Sequence, residues 1–295
     1  MGEHFRDSSS RGSGEEKIRL PAQLAIKVIK VEDSGLQGRM ETNWELMRQL
    51  KHDNIVQYYG CLINKKAKEA SIFMELVPKT LQTQYRSHGP LNERLIRKHT
   101  RQILEALDYL HNHELRVIHG DLKAANIMFN GKFVKLADFG ESRILSPLTT
   151  DFLQNSQESG VLQKDLKGSI LWMAPEILMM KPVGRRSDIW SLGCTLIELA
   201  TAEHPWSDIT EIGQLFMRLG NRETPKIPSH LSPEAQNFIQ RCLTFDKDDR
   251  PTASKLLEDP FVCSPGDMSP LPGPRQLGRS SATQQASLAP APLSK

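Results

Sequence analysis

Asp121-Leu122-Lys123-Ala124-Ala125-Asn126 sets a carboxylate, an ammonium and an amide within six residues, directly after His119-Gly120. A second carboxylate, Asp138, follows a short apolar strand-like run, Val134-Lys135-Leu136-Ala137, and leads into Phe139-Gly140. Phosphoryl transfer asks for this set of groups. A carboxylate orients the accepting hydroxyl, a cation neutralises the transferred phosphoryl, and hard oxygen donors hold Mg2+.

Such groups act together only if the surrounding chain brings them to one place. Leu24-Ala25-Ile26-Lys27-Val28-Ile29-Lys30-Val31 alternates in period two and is rich in β-branched residues, which predicts a strand. A helical stretch is expected near 41–50, with strands over 55–62 and 70–76. From Leu91 onward helices dominate: Leu95, Ile103, Leu104, Leu107 and Leu110 recur at near-helical spacing, as do Ile189, Leu192, Leu196 and Leu199. A sheet-rich first third and a helix-rich remainder imply an α+β fold of two lobes with a ligand cleft between them.

Composition narrows the function further. Lysine and arginine number 38 against 35 acidic residues, a surplus of +3 that argues against a scaffold held on nucleic acid by phosphate neutralisation. The four cysteines Cys61, Cys194, Cys242 and Cys263 show neither a C-x-x-C pair nor metal-ligand spacing, which fits a reducing compartment. No apolar run approaches the roughly 20 residues of a membrane span, and the start lacks a signal-like apolar core. A cytoplasmic protein with no membrane segment and no nucleic-acid partner is therefore expected. Residues 1–17 are polar and serine-rich, and 263–295 are proline- and serine-rich without an aromatic residue, so both are expected to be disordered.

With D-L-K-x-x-N at Asp121–Asn126 and D-F-G at Asp138–Gly140, the sequence resembles the eukaryotic protein kinases. The same resemblance runs through A-I-K ending at Lys27, A-P-E at Ala174–Glu176, S-D-I-W-S-L-G at Ser187–Gly193 and Arg250 in D-D-R-P. It implies a kinase domain over 18–262, with a small N-lobe at about 18–77 and a helical C-lobe at about 78–262. Lys123 and G-S-I-L-W-M-A-P-E (168–176) are similar to serine/threonine rather than tyrosine kinases. K-H-D-N-I-V-Q-Y-Y-G, S-I-F-M-E-L-V-P and R-R-S-D-I-W-S-L-G-C-T most resemble the mitogen-activated protein kinase kinase kinases.

Carried over position by position, the resemblance implies Asp121 as catalytic base and Lys123 as the group neutralising the phosphoryl. Asn126 and Asp138 would hold Mg2+, and Lys27 would bind the α- and β-phosphates of ATP. Ala25 and Met128 would sandwich the adenine. Met74 would stand as gatekeeper, followed by a hinge at Glu75-Leu76-Val77. Glu176 and Arg250 would form a buried ion pair. The implied partner is a protein substrate, a downstream mitogen-activated protein kinase kinase among the candidates.

Three positions depart from the family pattern. The glycine-rich loop is missing or degenerate: Gly12 and Gly14 form G-x-G, but Lys17 stands where a third glycine belongs, and the first two strands have no counterpart before Leu24. A truncated reading of the gene, splicing and true divergence all stay open as origins. The family spacing puts Asn43, flanked by Glu41 and Glu45, where a glutamate usually pairs with the strand lysine. Gly120 replaces the arginine that normally receives an activation-loop phosphate. These departures keep a second reading alive, a pseudokinase or scaffold acting by protein interaction. The retained Asp121, Lys123, Asn126 and Asp138 favour the enzyme.

Overall fold

The alternation along Leu24–Lys30 builds β1, which pairs antiparallel with β3 (Glu69–Glu75) so that Ala25 lies opposite Met74 and Lys27 opposite Ile72. The structure, a computed structural model, describes residues 22–30, 46–64, 66–139, 143–144 and 169–263. β2 (Tyr58–Asn64) joins the other side of β3, giving a three-stranded sheet in the order β1-β3-β2. One face carries the exposed Ile26, Val28 and Leu62, and the other turns toward the core through Ala70 and Ile72. Residues 46–49 form a helical turn packed on this lobe through the buried Leu46, Met47 and Leu50.

The strand expected over 55–62 starts only at Tyr58. The preceding residues bond elsewhere: Val56 N donates to Leu136 O at 2.9 Å and Leu136 N to Asn54 O at 2.8 Å. Backbone groups that would have extended the first sheet are taken by Leu136 of a second one, which ties the lobes together. That second sheet has the order β4-β6-β7, from β4 (Lys79–Thr80), β6 (Ile127–Phe129) and β7 (Val134–Leu136). The short β5 (Val117–Ile118) pairs with β8 (Arg143–Ile144).

Helices supply the rest of the frame. α1 (Leu81–His88) starts on Thr80, whose hydroxyl accepts the Thr83 N–H while Thr83 returns the bond. α2 (Glu93–Asn112) is capped by Asn92 and buries Ile96, Ile103, Leu104, Leu107 and Leu110 on one side. After the short α3 (Pro175–Leu178) comes α4 (Arg185–Thr201), in which every residue from Ser187 to Ala200 is buried. A helix closed off from water on all sides is an axle rather than a surface element. α6 (Pro233–Cys242) packs on α4, and α7 (Ala253–Leu257) and α8 (Pro260–Cys263) pack on α2, while α5 (Ile212–Gly220) adds Leu215 and Leu219 to the core. At Gly193 a Cβ would lie 2.9 Å from both Cys242 Cβ and Leu243 Cδ2, so the glycine sets how closely α4 and α6 approach. The architecture is α+β and bilobal, a small sheet lobe on a mainly helical one. No described helix is long and apolar enough to cross a membrane.

Candidate active site

The loop after β5 is held from below by one buried carboxylate. Asp188, near the start of α4, accepts the backbone N–H of His119 at 2.9 Å and of Gly120 at 3.0 Å, and meets His111 Nε2 at 2.8 Å. Burial alone would raise the Asp188 carboxyl; the His111 bond and charge and the Gly120 amide hold it below its ordinary range. His119 is itself buried, with Nε2 donating to Ala137 O at 3.1 Å and Nδ1 accepting the Asp121 N–H at 3.3 Å. Gly120 takes φ 82°, a left-handed turn that suits glycine.

On this footing Asp121, Lys123 and Asn126 form one cluster. Lys123 Nζ lies 2.8 and 3.1 Å from the two Asp121 carboxylate oxygens. Asn126 Nδ2 donates to Asp121 Oδ2 and to its backbone oxygen, both at 2.8 Å. Lys123 Nζ also contacts Ser169 Oγ, which brings the 169–176 segment to the loop. A second buried acid locks this arrangement from the side. Glu198 accepts Ala124 N at 3.0 Å, Trp172 Nε1 at 2.9 Å and the Tyr85 hydroxyl at 2.8 Å. Burial pushes its carboxyl above the usual range, while these three donors pull the other way.

The sheet lobe contributes a second, separate group. Lys27 Nζ meets Asp138 Oδ1 at 2.7 Å, with both side chains about two-fifths exposed (43% and 39%). Asp138 adopts φ 61°, and its backbone N–H donates to Tyr58 Oη at 3.2 Å. Phe139 is buried against the rings of Tyr58 and His119, at 6.0 and 5.1 Å between centroids. The two groups meet through the backbone, where Ala137 N donates to Asn126 O at 2.9 Å. This sets Asn126 beside the turn that carries Asp138.

Of the residues expected to line the adenine, Ala25 and Met74 are cross-strand partners and both are partly buried. Met128 is partly buried on β6, and Val77 is buried within the core. The Glu75 carboxylate is engaged by Lys135 at 2.9 Å and by the Gln57 N–H at 3.3 Å. Glu176 and Arg250 do pair, at 2.9 and 3.1 Å, and Arg250 is wholly buried. Gly12, Gly14, Glu41, Asn43 and Glu45 lie outside the described residues, as do Thr149, Thr150, Ser156 and Ser159, candidate phosphate acceptors in the long hydroxyl-bearing stretch between Gly140 and Ala174.

The donor set suits a hard cation. Asn126 spends its amide N–H groups on Asp121, which leaves Oδ1 for a metal, and Lys27 takes only Oδ1 of Asp138, which leaves Oδ2. An amide oxygen and a carboxylate oxygen, with the remaining places filled by phosphate and water, are what Mg2+ accepts. Among the described residues no cluster of three or more His, Cys, Asp or Glu side chains offers a site for a softer metal.

Three residues of this site carry no role in the sequence reading: Asp188, Glu198 and Tyr58. The signal for the first two was present, since they are the two charged residues of the otherwise uncharged run 187–200, whose apolar residues fall on every side of the helix, and a buried acid must be bonded. Tyr58 had no comparable signal.

A family model described as the protein kinase domain matches residues 18–262. The chain is 39% identical over 259 residues to mitogen-activated protein kinase kinase kinase A of Dictyostelium discoideum, covering 84% of this chain and 26% of that one. It is 38% identical over 257 residues to mitogen-activated protein kinase kinase kinase 3 of Arabidopsis thaliana, covering 85% and 39%. It is 36% identical over 249 residues to serine/threonine-protein kinase STE11 of Saccharomyces cerevisiae, covering 79% and 33%. The chain thus spans about a quarter to two fifths of the length of these relatives.

Proposed function

Because this chain belongs to the protein kinase family, we propose that it transfers the γ-phosphoryl group of ATP to serine or threonine of a protein substrate. The observation that carries the reading is the single cluster of Asp121, Lys123 and Asn126, with Ser169 against Lys123. In it Asp121 accepts the proton of the substrate hydroxyl and orients the oxygen toward the phosphorus. Asn126 leaves Asp121 Oδ1 free of its amide, and the acceptor hydroxyl takes its place on that side. Lys123 lies between the carboxylate and Ser169, so its charge falls where negative charge builds on the phosphoryl oxygens. Its link to Ser169 couples that charge to the segment that receives the substrate chain. Lys27 holds the α- and β-phosphates, and Ala25, Met74, Val77 and Met128 offer the apolar walls for adenine. Asn126 Oδ1 and Asp138 would hold Mg2+, which when bound neutralises the polyphosphate.

The relatives named as mitogen-activated protein kinase kinase kinases support a kinase substrate, a mitogen-activated protein kinase kinase. A cytoplasmic setting suits the four free thiols Cys61, Cys194, Cys242 and Cys263.

The test separates the two halves of the site. Asp121→Asn should lower kcat by about 10²- to 10⁴-fold and leave Mg2+·ATP affinity within about threefold. Asp138→Ala should abolish the gain in nucleotide affinity that Mg2+ gives. Equal, large losses of nucleotide binding in both variants would contradict the assigned roles.

A further inference from the structure

Asp138 holds a backbone conformation that is uncommon outside glycine. Its φ of 61° lies in the left-handed region, which aspartate tolerates better than most residues but which still gains from contacts that hold it. Two contacts from the sheet lobe converge on it. Lys27 takes one carboxylate oxygen, and Tyr58, the first residue of β2, accepts the backbone N–H at 3.2 Å. The Tyr58 ring is 5% exposed and meets Phe139 edge-on, at 82° between planes. Packing of the ring therefore aims the hydroxyl. Burial pushes the phenol far above its ordinary pKa, so it stays neutral. A phenylalanine would fill the same space, so the hydroxyl needs a separate reason. Its contacts are with the backbone amides of Asp138, the residue at this turn that carries a carboxylate toward the cleft, and of Phe139 next to it.

We propose that Tyr58 is a positioning residue, whose hydroxyl holds Asp138 in its left-handed turn and so presents the carboxylate to the metal. The purpose of that carboxylate rests on the kinase reading above; the clamp on the amide does not. Without the hydroxyl the Asp138 N–H loses its partner at a part-buried turn, and the turn can relax toward conformations that swing the carboxylate away.

The test compares the full chain with its Tyr58→Phe variant. Exchange of the Asp138 backbone amide, followed by NMR in protein labelled at aspartate nitrogen, should quicken about tenfold, the scale of one lost hydrogen bond. Unchanged exchange overturns the proposal, and this readout needs neither nucleotide nor activity. The Mg2+ concentration for half-maximal binding of a non-hydrolysable ATP analogue should rise by about fivefold to tenfold. Metal-free affinity should hold within about twofold. Equal Mg2+ dependence in the two proteins also overturns the proposal. Tyr58→Leu removes ring and hydroxyl together and should shift Mg2+ dependence equally, with a further fall in melting temperature. A Mg2+ shift in the leucine variant alone would assign the positioning to the ring and overturn the role of the hydroxyl. A wild-type chain that binds no nucleotide would sink the kinase reading, and the amide exchange would then decide on Tyr58 by itself.

Discussion

Asp188 and Lys27 each hold one half of the site with a charge, under opposite conditions. Asp188 is 1% exposed and meets three nitrogen groups of the surrounding chain, while Lys27 is 43% exposed and has Asp138 as its partner among the described residues. The contrast extends outward. Beneath the acceptor half lie Glu198, Glu176 and Arg250, all buried and all bonded. Beside Lys27 the sheet turns Ile26, Val28 and Leu62 to the outside. The half proposed to take the acceptor is thus built into the core, and the half proposed to take the nucleotide is laid on a surface. Buried charges of this kind fix geometry more than they add stability, because their attraction is largely offset by the cost of leaving water. Removing one partner exposes that cost.

The largest expected effect follows from the buried pair. Glu176→Ala would leave Arg250 without a carboxylate, although Thr244 O, Arg186 O and Phe245 O still accept its N–H groups. A loss of about 3–5 kcal/mol in unfolding free energy is expected, read from denaturant titration. A loss under about 1 kcal/mol would place this pair in the same class as the exposed one and erase the contrast.

A smaller effect sharpens the comparison inside the catalytic loop. Gly120 keeps φ 82°, so Gly120→Ala should cost about 1 kcal/mol while the bond from its N–H to Asp188 persists. The family pattern puts at this position an arginine that receives an activation-loop phosphate, and glycine offers no such cation. Stoichiometric phosphorylation of Thr149, Thr150, Ser156 or Ser159 should therefore change turnover only modestly. A hundredfold rise, about 2.7 kcal/mol of barrier, would point to another basic receptor.

What was legible in the sequence was local. Asp121, Lys123 and Asn126 stand within six residues, and the structure brings them into one cluster. The alternation of Leu24–Lys30 found its strand, and the spacing of Leu104, Leu107 and Leu110 found its helix. The contacts between distant segments were not legible. Asp188 lies 69 residues from His119, and Glu198 lies 74 from Ala124, so nothing in either neighbourhood names the partner. Ile55 and Val56 belong to an apolar run that reads as strand, yet an apolar run does not state which sheet will take its backbone bonds. Tyr58 is the same case for a side chain, since its hydroxyl gains meaning only when Asp138 folds beneath it.

The contrast between the two halves is tested most directly by melting Asp188→Ala and Lys27→Met in parallel with the wild-type chain. Loss of the buried carboxylate should lower Tm by roughly 6–12 °C, and loss of the exposed ammonium by less than about 3 °C, for a domain of this size. Equal falls in the two variants would contradict an acceptor half built into the core and a nucleotide half laid on its surface.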